Sequence, residues 1–322
     1  MAIFPNYPHP SIRHTDANKV RRLHLFGFPI SHSVGPYVHT FVAQSVGLPW
    51  TFTHFETSDL ELVSESMRGK DFVGGAMTMP MKLSIMNKLD GLDDQAKVVG
   101  ACNTITTLPG GKLVGSNTDS VGIRDALAEI SLHGRGKPGM VIGAGGASRA
   151  AIYAMLMHLG CSVVYLINRN TENANRLIKD MAKSGFTQSQ SIIVVESVEQ
   201  SRTLHAPFYG VGCIPNNTPS TEGEKIARAI ADNLFRPDSK GVFLDMCFKP
   251  RITQLVEIAE GRGWTTVDGI EVLGLQLLEQ WRLWLGPEVP LPVDDARQKM
   301  RDLASGNADL NGSSTVGFYE RL

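Results

Sequence analysis

The stretch Met140–Asn170, MVIGAGGASRAAIYAMLMHLGCSVVYLINRN, decides the fold. A short apolar run reads as a strand, GAGGAS as a tight turn, the next residues as a helix, and VVYLI as a second strand. Gly143 permits the sharp turn, Gly145 lets a backbone approach a pyrophosphate, and Ser148 stands where a third glycine often lies. Gly146 and Ala147 complete the turn, and the helix that follows offers free N–H groups and a positive dipole end to phosphates. Strand, glycine turn, helix and strand in this order point to a dinucleotide cofactor; a glycine turn alone would be weak support. The second strand ends in Asn168 and Arg169, with no acid at its tip. An acid there would favour NAD and a basic residue NADP, so Arg169 taken alone leans toward NADP.

Outward from this unit, strand-like and helix-like runs alternate along most of the chain. LHLFGFP, TFTHFE and FVGGAMTM read as strands on the N-terminal side, with GPYVHTFVAQSVGL as a helix between the first two. ACNTITTLPGGKLVGSNTD reads as two strands joined by the Pro109–Gly110–Gly111 turn, and a helix follows from about Ser120 to Ser131. Beyond residue 170, SIIVVES, FYGVGCI, GVFLDMCF and TTVDG are further strands, and EVLGLQLLEQWRLWLG is a long helix with one apolar face. Such alternation predicts α/β architecture with largely parallel sheets. At 322 residues the chain exceeds what one core usually organises. The predicted organisation is an arm at 1–22, a substrate domain at 23–125, a dinucleotide domain at 126–268, and a C-terminal helix with a loose tail at 269–322.

Composition excludes several classes. Lys+Arg 31 against Asp+Glu 32 gives a formal net charge of −1, with no basic field for a nucleic acid. No apolar run reaches the roughly 18 residues of a membrane span, and the first 22 residues lack the apolar core of a secretory signal. Four scattered cysteines form no C-x-x-C and suit free thiols in a reducing cytoplasm. The nine histidines show no H-E-x-x-H or H-x-x-x-H spacing, so no metal site is expected.

GGAMTMPMK, residues 74–82, is apolar until it stops on one lysine, which neither a surface strand nor a core strand explains. The order GFPISHSVGP, MTMPMK, GACNTI, GSNTD, GAGGASRA, NRN, DMCF and DGIEVLGLQ resembles the shikimate/quinate dehydrogenase family from about Leu25 to Gly286. The resemblance implies an N-terminal α/β substrate domain, a Rossmann-like NAD(P) domain, a last helix returning to the first domain, and an active site in the cleft. Its reaction is reversible hydride transfer between a ring hydroxyl and a nicotinamide. Lys82 matches the family's catalytic lysine and Asp119 its partner. Lys82 is then either the base that takes the hydroxyl proton or a cation that stabilises alkoxide charge.

Ser33, Gly35, Thr78, Asn103, Phe248 and Gln276 match substrate-contacting positions. Ser148, Arg149, Asn168 and Arg169 match phosphate and adenosine positions, Met246 matches a residue beside the nicotinamide, and Gly269 is a further cofactor-binding candidate. Two matches depart from the shikimate pattern. The first loop reads Ser33–Val34–Gly35 rather than S-x-S, and Phe248 replaces a tyrosine. Losing a charge-assisted partner costs a buried carboxylate about 1.5–3 kcal/mol. Glycine at 35 resembles quinate-using members, whose substrate carries an extra hydroxyl beside its carboxylate. The resemblance therefore implies quinate oxidation to 3-dehydroquinate with residual shikimate activity. The alternatives are an NADP-dependent shikimate enzyme and a non-catalytic metabolite-binding regulator. Asn170 and Asn173 weaken the lean to NADP, and quinate use resembles NAD-dependent members, so NAD is slightly preferred on the substrate reading. A monomer or homodimer is expected.

Overall fold

The first strand starts at Arg21, two residues before the apolar run, because Arg21 and Arg22 already pair in parallel with Trp50 and Thr51. A computed structural model describes residues 19–306. Most of the expected arm and the end of the expected tail lie outside the described residues. In chain order the first half comprises β1 (Arg21–Gly27), α1 (Gly35–Ser45), β2 (Trp50–Glu56), α2 (Leu60–Met67), β3 (Phe72–Met77), β4 (Gly91–Leu92) and α3 (Asp94–Val99). β5 (Thr104–Thr107), β6 (Leu113–Ser116) and α4 (Asp119–Ile130) follow. The second half comprises β7 (Gly139–Ile142), α5 (Gly146–Tyr153), β8 (Val164–Ile167), α6 (Thr171–Lys183), β9 (Ile192–Val194), α7 (Val198–Thr203), β10 (Tyr209–Gly212) and α8 (Glu222–Leu234). β11 (Val242–Asp245), α9 (Gln254–Gly261), β12 (Thr265–Asp268), α10 (Gly269–Leu285) and α11 (Val293–Ala304) complete it.

The strands form two six-stranded sheets, ordered β2-β1-β3-β5-β6-β4 and β12-β11-β10-β7-β8-β9. The second is parallel throughout, and its order reverses between β7 and β10. That reversal opens a crevice beyond the strand ends, the usual ligand position in a doubly wound sheet. The first sheet is mixed, which corrects the expectation of a largely parallel one. The Pro109–Gly110–Gly111 turn folds β5 and β6 into a hairpin, so β5 runs antiparallel to both β3 and β6. Strand β4 and helix α11 were not legible as separate elements, one being two residues long and the other strongly charged.

Helix α10 leaves the parallel sheet and returns to the mixed one. Its Trp281 and Trp284 are buried against His39, Phe52 and Trp50 from α1 and β2. Truncating a buried tryptophan typically costs about 3–5 kcal/mol, so this contact is a main tie between the two halves. Trp284 Nε1 donates to the Ile105 carbonyl at 3.0 Å, and a Cβ at Gly74 would lie 2.5 Å from that nitrogen. The first glycine of GGAMTMPMK is thus the seat of the returning helix. Among the described residues no helix is long and apolar enough to cross a membrane. All four cysteines are free, and burial pushes the Cys102 thiol up to about 12.

Candidate active site

β3 runs apolar and buried to Met77, then the chain turns through Thr78–Met81 and delivers Lys82. From the other side, Asp119 is the first residue of α4, where the helix's positive end favours a carboxylate. Lys82 Nζ donates to Asp119 Oδ2 at 2.5 Å, and the two side chains are 16% and 1% exposed. Asn103, on the loop before β5, donates to Asp119 Oδ1 at 2.8 Å and to Thr118 Oγ1 at 3.0 Å. Its own oxygen accepts from Thr118 N and Thr104 Oγ1, each at 2.8 Å. Both carboxylate oxygens of Asp119 are therefore fixed, which aims the Lys82 amine.

The pair borders a pocket of about 180 Å³. Ser33, Gly35, Thr78, Asn103, Phe248 and Gln276 all line it, so the structure brings together every expected substrate residue. Gln276 Oε1 is buried without a hydrogen-bond partner, leaving acceptor capacity on a wall suited to a polyol. A Cβ at Gly35 would meet only Ser33 Oγ, at 3.4 Å.

Sequence reasoning missed four residues here. Glu56, at the end of β2, accepts from the backbone N–H of Ile30 and Ser31, each at 2.6 Å, and these bonds hold its carboxyl below the usual range. His54 Nε2 lies 2.9 Å from the Ser33 carbonyl. These two side chains tether the loop that carries Ser33 and Gly35; a strand ending in polar residues was the only signal. His39 lines the pocket stacked on Phe52 at 3.8 Å, and burial lowers its pKa to about 3, so it stays neutral. His32 also lines the pocket, 6.4 Å from the Phe248 ring.

Across the cleft, Gly143 has φ +118°, and a Cβ there would lie 2.8 Å from the Cys213 carbonyl, so the turn requires glycine. Gly145 caps α5 with open space where a Cβ would stand, and Ser148 Oγ accepts its N–H at 3.2 Å. Ser148 is fully buried and shapes the turn from behind. A Cβ at Gly146 would lie 3.5 Å from Lys82 Cβ, so the glycine turn abuts the lysine loop.

A groove of about 390 Å³ runs from Gly143 and Gly145 to Asn168 and Arg169, with apolar walls from Ile142, Ile167 and Leu255. An unobstructed backbone turn at a helix start, followed by an apolar slot and polar strand-tip residues, fits a dinucleotide. Six of the ten expected cofactor residues do not line it: Gly146, Ala147, Ser148, Arg149, Met246 and Gly269. Arg149 is buried with Nη2 2.9 Å from Asp180, and its guanidinium lies against Gly100, so it ties α5 to α6 and α3. The expectation that Arg149 meets the cofactor is corrected accordingly, since its charge is already matched away from the groove. Met246 packs on the core of the parallel sheet, and Gly269 opens α10 where a Cβ would lie 2.7 Å from the Met246 carbonyl.

Comparison with known proteins agrees with this arrangement. The model of the shikimate dehydrogenase substrate binding domain matches residues 25–105. The pentafunctional AROM polypeptide of Eremothecium gossypii is 37% identical over 284 residues, covering 86% of this chain and 18% of that protein. The chain thus spans under a fifth of the AROM polypeptides it matches. A solved structure of dehydroquinate dehydratase and shikimate dehydrogenase from S. pombe AroM superposes with a TM-score of 0.71 at 35% identity, covering 88% of this chain and 53% of that one. The quinate dehydrogenase of Emericella nidulans is 34% identical over 289 residues, covering 83% of this chain and 88% of that protein. With its lysine–aspartate pair between a mixed and a parallel sheet, and a near full-length relative at this identity, the chain belongs to the shikimate/quinate dehydrogenase family.

Proposed function

We propose that the protein is a nicotinamide-dependent dehydrogenase that oxidises a ring hydroxyl of quinate to 3-dehydroquinate, with shikimate as a weaker substrate and NAD as the favoured cofactor. The observation that carries this is the Lys82–Asp119 contact in a largely apolar pocket that also presents Ser33, Thr78, Asn103 and Gln276, abutting the glycine turn. Oxidising an alcohol removes a hydride from carbon and a proton from oxygen. Gly143, Gly145, Gly146, Ala147, Asn168 and Arg169 would hold a nicotinamide dinucleotide, which would supply the hydride acceptor. Lys82 Nζ acts on the hydroxyl oxygen, as a free amine that takes its proton or as an ammonium that stabilises the developing alkoxide, and Asp119 Oδ2 balances the lysine's positive charge. Asn103 keeps Asp119 in place, while Thr78 and Gln276 hydrogen-bond the ring hydroxyls and fix which carbon faces the glycine turn.

Substrate choice rests on the carboxylate end. Ser33 keeps one hydroxyl there, Gly35 leaves open space, and Phe248 offers none. That space suits the extra hydroxyl of quinate, and one fewer donor weakens shikimate. The likeness to AROM polypeptides favours the second reading, an NADP-dependent shikimate dehydrogenase. Four free cysteines suit a reducing compartment, the cytoplasm.

The test is reduced-nicotinamide absorbance for quinate and shikimate, each with NAD and with NADP. Quinate with NAD is expected to give the highest kcat/KM. A preference for shikimate with NADP would install the second reading, and no signal in any of the four would remove the dehydrogenase altogether.

A further inference from the structure

The tip of β8 carries no acid, yet the fold brings one there. Arg169 Nη1 lies 2.5 Å from Oε1 of Glu224, a residue 55 positions later on the first turn of α8. Glu224 is fixed from behind: Oε2 accepts from Ser220 N at 3.0 Å, Ser220 Oγ at 3.1 Å and Thr221 N at 3.1 Å, and Thr221 Oγ1 caps the Glu224 N–H at 3.3 Å. Those bonds hold the carboxyl far below the usual range, so it stays charged. The start of α8 is pressed onto the strand tip, since a Cβ at Gly223 would lie 2.2 Å from the Arg169 carbonyl.

Asn168, Arg169, Asn173 and Glu224 all line the groove. Its other charged residue, Arg228, sits one turn further along α8, half-buried, and interacts electrostatically with the buried Asp245. In a sheet of this order the strand tip after the glycine turn meets the adenosine ribose, where an acid selects NAD and a free arginine accommodates the extra phosphate of NADP.

We infer that Glu224 is the residue that selects NAD over NADP, by neutralising Arg169 and holding a fixed negative charge where the 2′-phosphate would sit. The inference rests on the dinucleotide-dependent reading above. Asn168 and Asn173 then offer uncharged partners to a ribose 2′-hydroxyl, while a phosphate meets a carboxylate that cannot turn away. The acid that a ribose site needs has been moved from the strand to the neighbouring helix.

Calorimetric titration of the intact protein tests this without turnover, using NAD, NADP, 5′-AMP and 2′,5′-ADP. Wild type should bind NAD about tenfold or more tightly than NADP, and 5′-AMP more tightly than 2′,5′-ADP. Glu224→Gln keeps an oxygen for the Ser220 and Thr221 donors but removes the charge. It should narrow the NAD:NADP ratio to within about threefold, chiefly through tighter NADP binding. If that variant does not fold, salt answers on wild type: screening a repulsion raises NADP affinity relative to NAD, whereas screening an arginine clamp lowers it. NADP binding at parity in wild type, an unchanged ratio in Glu224→Gln, or a relative loss of NADP with salt overturns the role of Glu224. Binding of neither dinucleotide would remove the cofactor reading itself, and this inference with it.

Discussion

Two cation–carboxylate pairs of equal length give this protein its two different ends. Lys82–Asp119 and Arg169–Glu224 each close to 2.5 Å, but the first is 16% and 1% exposed and the second 67% and 25%. Burial removes water from the first pair, so each charge depends on the other and the amine is held for chemistry. Solvent screens the second, so it contributes little to stability and acts as a sign at the mouth of a binding site. Distance alone would have ranked the two as equals; desolvation separates them.

The comparison breaks most sharply at Lys82. Lys82→Ala should lower kcat by about 10²–10⁴-fold while NAD still binds, measured by steady-state rates beside calorimetry. Near-full turnover would deny Lys82 any part in proton transfer.

Stability should divide the pairs next. Asp119→Ala leaves a partly buried ammonium and an Asn103 amide without their carboxylate, at a cost of about 3 kcal/mol. Arg169→Ala should cost under about 1 kcal/mol, because its partner is capped by Ser220 and Thr221 in any case. Urea unfolding of both variants reads the contrast, and equal losses would contradict it.

Asp245 sharpens the point as a buried carboxyl bonded to Thr253 Oγ1 at 2.5 Å and Cys247 N at 3.0 Å rather than held by a close cation. Burial raises its pKa to about 6 from 3.8. A folded pKa above the unfolded one gives a contribution that is complete below about pH 4 and lost as pH rises through 6. Asp245→Asn should therefore gain on wild type by up to about 3 kcal/mol between pH 4 and 7 in melting experiments. A pH-independent difference would mean that the carboxyl is solvated.

The smallest effect concerns the substrate end. Gly35→Ser restores a hydroxyl beside Ser33 with only one 3.4 Å contact to absorb. It should shift the quinate:shikimate ratio of kcat/KM toward shikimate by about tenfold. An unchanged ratio would move the source of substrate choice elsewhere in the pocket.

Much of this was legible from sequence, for reasons that differ by residue. Gly143 announced itself because its backbone conformation excludes other residues. The α4 and α10 helices, and the strands of the parallel sheet, follow from apolar periodicity, which neighbouring residues carry. Lys82 and Asp119 emerged from motif order, and their meeting across 37 residues agrees with it. Arg149 misled because an arginine after a glycine turn looks the same whether it faces a phosphate or Asp180.

The sequence by itself determined the glycine turn, the alternation of strands and helices, and the residue types around one lysine, since these reside in local backbone preference and spacing. Tertiary structure alone decided that Glu56 and His54 hold the substrate loop, that Trp284 seats on Gly74, and that Glu224 answers Arg169. Those pairings depend on which strand lies beside which. Sheet order emerges only when the whole chain has packed, and no window of consecutive residues contains it.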